Sequence, residues 1–245
     1  MNKELDNLRR SIDNIDDDLQ RLIVKRARVV KEIAKIKSTS GVSILRPGRE
    51  IDLLYRLLNK DIAPLKSIEF VNIWREIIST ITSSVQSAFA VSVAAPADSE
   101  LAEETRNYYG SMIEKTFNHQ IIDTLNEASK SNNIIGVLPL NDNWWSEDFP
   151  KNLNIFAVLP FYIKKPVGFL VGQVQNERSI NNKTVVVVPK SEYKISKSKY
   201  NLENLASNEH SILCLAEGYF DNFDEINSKI LGKFGYIVFD GEDNE

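Results

Sequence analysis

The feature that most constrains this chain is the segment LRRSIDNIDDDLQRLIVKRARVVKEIAKIK, residues 8–37, which contains neither Gly nor Pro. Its apolar residues recur every three or four positions, the spacing of one face of an α-helix. We predict a helix over residues 3–38, which at ~1.5 Å per residue is more than 50 Å long. Such a helix is longer than a small domain is wide, so its stripe is typical of a coiled coil or an intertwined oligomer. The stripe comprises Leu8, Ile12, Ile15, Leu19, Leu22, Val29, Ile33 and Ile36.

Basic residues occupy unexpected positions on this helix. Arg26 stands where the apolar pattern would continue, and Lys37 follows eleven residues later. At ~100° per residue the two lie only about 20° apart around the helix axis and about 16 Å apart along it. Arg9, seventeen residues before Arg26, points about 100° away from it. We therefore expect two cations to face one space and a third to face another.

The charge balance leaves two explanations for these cations. Burying a charge costs several kcal/mol unless an opposite charge meets it, so Glu50 or Glu76 could be an internal partner. However, residues 1–89 hold 16 Lys and Arg against 12 Asp and Glu, and the next loop adds Arg46 and Arg49. This excess favours an anionic ligand. The planar fork of Arg matches a carboxylate, so a small molecule with two carboxylates fits the pattern.

Composition excludes several other classes of protein. Among 245 residues there are one Cys and two His, too few for a His/Cys metal site or a disulfide framework. The net excess of +4 in residues 1–89 is too small for a nucleic-acid footprint. The polar start, MNKELDNLRR, is unlike a signal peptide, and no apolar run approaches the ~20 residues of a membrane helix. We predict a cytoplasmic protein without a metal or cofactor that contacts neither nucleic acid nor membrane.

The hydrophobic period divides the chain near residue 89. Two further helices, over about 49–60 and 67–89, make residues 1–89 an all-α unit. Residues 90–245, with 14 basic and 22 acidic residues, alternate strand and helix patterns and are predicted to be α/β or α+β. The predicted strands are 90–95, 133–140, 154–159, 167–174, 183–189, 211–219 and 236–241, and the predicted helices are 98–108, 117–130 and 223–232.

The N-terminal motifs resemble those of the all-helical chorismate mutases. The resemblance rests on LRRSIDNIDDDLQRLIVKRARVVKEIAKIK, LRPGREIDLL and IWREIISTITSSVQ and covers residues 5–86. It implies an intertwined all-α homodimer that rearranges chorismate to prephenate without a cofactor. The Arg and Lys eleven residues apart, the Arg-Glu pair and the final Gln are the specific elements.

The resemblance also implies a role for each site residue. Arg26 would grip one carboxylate of chorismate, and Lys37 would touch the breaking ether oxygen and a carboxylate. Arg49 would support the carboxylates, Glu50 would hold the ring hydroxyl, and Gln86 would bind the ether oxygen. The remaining implied substrate contacts are Arg9, which would reach across the dimer, and Arg46 and Thr82.

Two of these positions depart from the family pattern. Arg46 stands where some members have Asp, which leaves its role open. The segment around Thr82 is one residue longer than usual, so Ser79 or Ser83 could take the place of Thr82 as the substrate contact.

The second region more weakly resembles the dehydratase part of the bifunctional mutase–prephenate dehydratases. AVSVAAP, GSMIEKTF and NNIIGVLPL are similar to the first half of that binding-protein-like domain, and residues 183–241 to a degraded ACT-like module. The Thr-Arg-Phe signature is missing, and the closest text is QNERSINNKTV. We therefore expect a non-catalytic companion region, which could divide into a dehydratase-like half, 90–176, and an ACT-like half, 177–245.

These observations predict a multidomain protein: an all-α, intertwined, dimeric helical domain over residues 1–89 and an α/β companion region over residues 90–245. The favoured function is that of a homodimeric chorismate mutase in the shikimate pathway to phenylalanine and tyrosine. Two alternatives stay open: a bifunctional mutase–prephenate dehydratase, and an inactive mutase scaffold that senses an aromatic amino acid.

Overall fold

A computed structural model of the chain describes residues 2–38, 45–85, 90–110, 112–162 and 165–239. Three helices come first: α1 (Asn2–Ser38), α2 (Pro47–Leu58) and α3 (Ser67–Val85). Nine strands and three further α-helices then follow within the described residues up to 235. The coarse prediction of a helical part followed by a part that contains both strands and helices is therefore confirmed. None of the described helices is long and apolar enough to span a membrane.

The strands form one mixed sheet of nine strands in the order β2-β1-β3-β5-β4-β9-β6-β8-β7. Strand β1 is parallel to both β2 and β3, whereas β5 runs antiparallel to both β3 and β4. The elements after α3 are β1 (Ala90–Val93), α4 (Glu100–Tyr109), β2 (Glu114–Phe117), α5 (Ile121–Lys130), β3 (Ile134–Pro139), β4 (Asn154–Leu159), β5 (Gly168–Gly172), β6 (Asn182–Pro189), α6 (Lys190–Tyr200), β7 (Glu203–Ser207), β8 (Ser211–Glu217) and β9 (Lys229–Gly235).

The helical part and the sheet share one apolar core. Leu54 of α2 and Val71 of α3 are fully buried in the same cluster as Val91 of β1 and Leu170 of β5. On the opposite face, α5 packs with the Trp144–Ser146 turn, whose Trp144 and Trp145 side chains are buried in the same cluster. The division at residue 89 and the further division at residue 176 stay predictions. Strands from both proposed halves hydrogen-bond within the same sheet.

Helix α1 is the exception to this burial. Ala34 is its only buried residue among those described, and it lies in the last turns of the helix, near α3. The apolar stripe that predicted the helix is 43% to 70% exposed. The helix therefore forms as its periodicity predicts, but its own chain leaves the stripe uncovered.

The end of the sheet corrects two predictions. Residues 223–232 were expected to form a helix and residues 236–241 a strand. Instead β9 spans Lys229–Gly235, and among the described residues after it only an isolated bridge joins Ile237 to Tyr162. The helical spacing of Phe223, Ile226 and Ile230 arises because all three pack on the cluster around β6 and β8. Strands β2 and β7 and helix α6 were not predicted.

Gly232 of β9 lies where the strands of residues 90–176 meet the strands of residues 177–245. It pairs with Ile155 of β4 in parallel register. A Cβ at this position would overlap the carbonyl oxygen of Ile155 and lie 2.5 Å from its backbone nitrogen. No real side chain tolerates such contacts with backbone atoms.

We therefore predict that Gly232→Ala lowers the free energy of unfolding by about 2–4 kcal/mol, because the new methyl group pushes β9 away from β4. Urea denaturation measures the loss. The control is Lys229→Ala on the exposed start of the same strand, which should change stability by less than about 0.5 kcal/mol. Equal stabilities of the two variants would contradict the close approach.

Candidate functional site

The end of α1 and the start of α2 bring five of the predicted site residues to one place. Arg26 and Lys37 lie on α1, and Arg46, Arg49 and Glu50 lie at or just before the first turn of α2. The charge of Glu50 acts on Arg26, and the charges of Arg46 and Arg49 act on Lys37. Residues of a single chain therefore bring most of the predicted cationic group together.

Glu50 is the acidic centre of this group. Its Oε2 accepts a hydrogen bond of 2.8 Å from a guanidinium nitrogen of Arg75 on α3, and its side chain is 20% exposed. Burial raises the pKa of the Glu50 carboxyl, whereas the positive charges of Arg75 and Arg26 lower it. Of the two internal acids considered as partners of the α1 cations, Glu50 is thus close to Arg26. Glu76 instead lies against Gly110, at the end of α4.

Arg75 is a functional candidate that the sequence-based prediction missed. Only 2% of the residue is exposed. Its guanidinium carbon lies 3.8 Å from the ring centroid of Tyr108 on α4 and 4.8 Å from that of Phe161 after β4. Stacking on aromatic faces is favourable for a desolvated guanidinium. A signal existed, because Arg75 lies between Val71 and Ile78 on the apolar face of α3, just as Arg26 interrupts the stripe of α1.

The two predicted catalytic cations of α1 are half-buried. Burial lowers the pKa of the Arg26 guanidinium, and the charge of Glu50 opposes this. Burial also lowers the pKa of the Lys37 ammonium, and the neighbouring charges of Arg46 and Arg49 lower it further, against the carboxylate of Glu177. A partly buried cation interacts more strongly with an anion than a fully hydrated cation does.

Thr82 lies on the side of α3 that faces Glu50 of α2. Together with Ser79, Glu50 and Arg75, it lines a cavity of about 20 Å³, which is room for about one water molecule. The hydroxyl group of Ser79 donates to the carbonyl oxygen of Glu76, and that of Ser83 donates to the carbonyl oxygen of Thr80. The choice of Thr82 as a substrate contact stays a prediction.

Arg9 lies apart from this assembly. Arg9 is exposed and pairs with Asp6 at 3.5 Å. It precedes Arg26 by seventeen residues of continuous helix, which corresponds to about 26 Å. Its own chain therefore keeps Arg9 away from Arg26. Gln86 lies outside the described residues.

The sheet region has a larger cleft of its own. It measures about 630 Å³ and opens where β1 and β3 end and α4 begins, between Ser99, Asn118, His119, Asn141 and Lys165. Clefts at the carboxyl ends of parallel strands are a common location of ligand sites in α/β proteins. The sequence-based analysis identified no site residue in this cleft.

Comparison with known proteins agrees with the motif-based assignment. Residues 8–85 match the family model described as chorismate mutase type II. The resemblance predicted for the helical part is therefore confirmed.

Two curated relatives are each described as a bifunctional chorismate mutase/prephenate dehydratase. The protein of Aquifex aeolicus is 29% identical over 144 residues, and that of Pseudomonas aeruginosa 26% over 145. Each alignment covers 57% of this chain and 40% of the relative, so the chain spans less than half of each relative's length. Because 57% of the 245 residues is more than the whole of residues 1–85, both alignments extend into the sheet region.

Two solved structures cover 62% of this chain. One is GqqA, described as a novel type of quorum quenching acylases, with 97% of its own chain covered, a TM-score of 0.43 and 9% identity. The other is prephenate dehydratase from Streptococcus mutans, with 99% covered, a TM-score of 0.39 and 13% identity. Both similarities are too distant to support an argument about function.

The environment of Glu50 predicts a pH-dependent effect of Arg75→Met. This substitution keeps a long side chain between the two rings but leaves the Glu50 carboxylate without its cation, so the pKa of Glu50 should rise further above its usual value of 4.5. A carboxyl with a raised folded-state pKa loses stability as the pH climbs from the unfolded-state pKa toward the folded-state one. We expect a loss of about 3–5 kcal/mol at pH 7 and a clearly smaller loss at pH 4.5.

Urea denaturation at the two pH values measures this difference. The control is Arg56→Met on the exposed side of α2, for which we expect a small and pH-independent change. A loss for Arg75→Met that is the same at both pH values would show that Arg75 acts through packing rather than through its charge.

Proposed function

We propose that the helical part of this protein is a chorismate mutase that converts chorismate to prephenate. The observation on which this rests is the assembly of Arg26, Lys37, Arg49 and Glu50 around the end of α1, within a segment that matches the mutase family model. Chorismate has two carboxylates and a hydroxyl group. A group of cations with one adjacent carboxylate offers complementary partners for all three.

The reaction breaks an ether bond while a carbon–carbon bond forms in the same step. It needs no nucleophile, base or metal, so an enzyme can contribute by holding the side chain over the ring in a reactive conformer. Arg9, Arg26 and Arg49 would serve this purpose through the carboxylates, with Arg46 and Thr82 as further contacts. Glu50 would accept a hydrogen bond from the ring hydroxyl.

Charge development at the ether oxygen gives Lys37 a second role. Negative charge grows on this oxygen as its bond breaks, so a donor there binds the transition state more tightly than the ground state. Lys37 would supply a charged donor, and Gln86 a neutral one. The lowered pKa of Lys37 places a limit on this mechanism, because activity would fall at alkaline pH once the ammonium loses its proton.

The uncovered stripe of α1 supports a homodimer. Eight apolar residues along about 40 Å of helix are too many to leave in water in a stable monomer, and each is at least 43% exposed. A second α1 packed against this stripe would bury it, and it could bring Arg9 of one chain to the site of the other. A shared site would account for the distance between Arg9 and Arg26.

A bifunctional enzyme is the second candidate function. It is favoured by alignments to the two bifunctional relatives that extend beyond residue 85, and by the cleft at the edge of the sheet. The missing Thr-Arg-Phe signature argues against it. The further alternative, an inactive scaffold that senses an aromatic amino acid, would bind such a ligand without consuming chorismate.

The first prediction of this proposal is that the purified full chain converts chorismate to prephenate and forms no phenylpyruvate. Lys37→Ala should lower the rate constant by at least about 10²-fold, because the charged donor at the ether oxygen is lost. Loss of chorismate absorbance and product chromatography measure the two reactions. Lys31→Ala, on an exposed part of the same helix, should keep the activity of the unsubstituted protein.

Phenylpyruvate that appears in step with chorismate loss would favour the bifunctional enzyme. Unchanged chorismate with folded protein would instead rule out the mutase and leave the sensor.

The shared site predicts complementation between two inactive variants. Arg9→Ala and Arg26→Ala homodimers should each be nearly inactive, because every site lacks one carboxylate partner. When the two are unfolded, mixed and refolded, half of the dimers combine both chains. In a mixed dimer one site has both lesions, and the other has Arg9 and Arg26 intact. About a quarter of wild-type activity should therefore return, given a symmetric dimer.

Each variant refolded alone is the control. A mixture that refolds to dimers but stays as inactive as its parents would show that Arg9 acts within its own chain.

A further inference from the structure

A carboxylate from the sheet region reaches into the cationic site. Glu177 lies between β5 and β6 in the loop of residues 173–181, and its side chain is only 21% exposed. Its Oε1 accepts a hydrogen bond from Nε of Arg46, 131 positions away in sequence. Its Oε2 is buried, with no hydrogen-bond partner among the described residues. This acid is used neither by the proposed mechanism nor by the sequence-based prediction.

The sheet fixes the position of this loop. The side-chain amide of Asn176 donates to the carbonyl oxygen of Ile155 on β4 at 2.9 Å and to that of Lys233 on β9 at 2.7 Å. The backbone nitrogen of Ser179 donates to Oδ1 of Asn182 at 2.9 Å. Glu177 is therefore held by bonds on both sides of it that do not involve the site.

The loop also lies directly on the start of α2. A Cβ on Gly48 would lie 2.8 Å from Cβ of Glu177 and 3.1 Å from the carbonyl oxygen of Arg178. One turn later, Asp52 accepts a hydrogen bond of 2.9 Å from the backbone nitrogen of Ile180. The absent side chain at Gly48 thus permits the close approach of the loop to the turn that bears Arg49 and Glu50.

Glu177 offsets repulsion within the cationic group. The charges of Arg46 and Arg49 lower the pKa of the Lys37 ammonium, whereas the charge of Glu177 raises it and so favours the protonated form. The negative charge of Glu177 also raises the pKa of the Glu50 carboxyl. Glu177 therefore adds a negative charge from the sheet region to a group in which Lys37, Arg46 and Arg49 repel one another.

We infer that Glu177 is a positioning residue of the mutase site, contributed by the sheet region, which orients Arg46 and allows Lys37, Arg46 and Arg49 to stay close together. This inference rests on the proposed function. The loop is anchored by hydrogen bonds outside the site. Glu177 is therefore a fixed part of the site, and substrate does not displace it. The sheet region would then be needed for full mutase activity even if it catalyses nothing itself.

The test compares Glu177→Gln, Glu177→Asp and Glu209→Gln in the full chain. Glu209→Gln makes the same change of charge at an exposed turn between β7 and β8. We expect Glu177→Gln to lower kcat/KM for chorismate by about tenfold or more, because Arg46 loses its orientation, and to move the alkaline limb of the pH profile to lower pH, because Lys37 loses the charge that favours its protonated form. Glu177→Asp should keep the alkaline limb close to that of wild type, and Glu209→Gln should change neither.

Several outcomes would overturn the inference. An unchanged kcat/KM and pH profile in a folded Glu177→Gln variant would show that the contact does not matter for the reaction. A higher kcat/KM would show that Glu177 competes with substrate. If Glu177→Gln does not fold, a Glu177→Asp variant whose alkaline limb moves as far as expected for Gln would exclude the charge effect. Absence of activity in wild type would refute the proposed function itself.

Discussion

The buried ion pair between Arg75 and Glu50 is the interaction on which the rest of the arrangement depends. A guanidinium that is almost fully buried requires both a carboxylate and a favourable surface around it. The helical part supplies the carboxylate from α2, whereas the sheet region supplies the aromatic rings of Tyr108 and Phe161. The orientation of Glu50, which we propose binds the ring hydroxyl, is therefore set by residues from both parts of the chain.

Arg46 is likewise held by an interaction between the helical part and the sheet region. Its partner Glu177 comes from a loop whose position is fixed by hydrogen bonds to β4 and β9. A sheet that is wrongly paired at Gly232 would move this loop as well, because Asn176 bridges the two strands that meet there. Stability of the sheet and geometry of the proposed site are thus coupled through a few named contacts.

Elements whose signals are local could be predicted well, in the helical part and in the sheet region alike. The stripe of α1 and the strand at residues 154–159 are fixed by spacing within a single segment, and α1 and β4 appear where expected. The end of the chain was mispredicted because Phe223, Ile226 and Ile230 have helical spacing but contact the sheet from an irregular segment and from β9. In that case tertiary packing, rather than local periodicity, decides the structure.

For the candidate site, too, local patterns predict only the residues whose signals lie within a single segment. Arg26, Lys37 and Glu50 were found from cations on an apolar face and from the family motifs. Arg75 follows from the same rule, applied to α3. Glu177 does not, because its contact with Arg46 joins residues 131 positions apart, and no local pattern indicates which loop of a sheet will meet a helix.

The central claim is that the mutase site combines the helical part of one chain, the sheet region of that chain and Arg9 of a second copy. A crystal structure of the full chain with a bicyclic ether dicarboxylate that resembles the transition state would test this most directly. We predict electron density for the analogue between Arg26, Lys37 and Glu50 of one chain and Arg9 of the partner chain, with Glu177 still bound to Arg46. An analogue bound elsewhere, or bound without Arg9 from a second copy, would contradict the account.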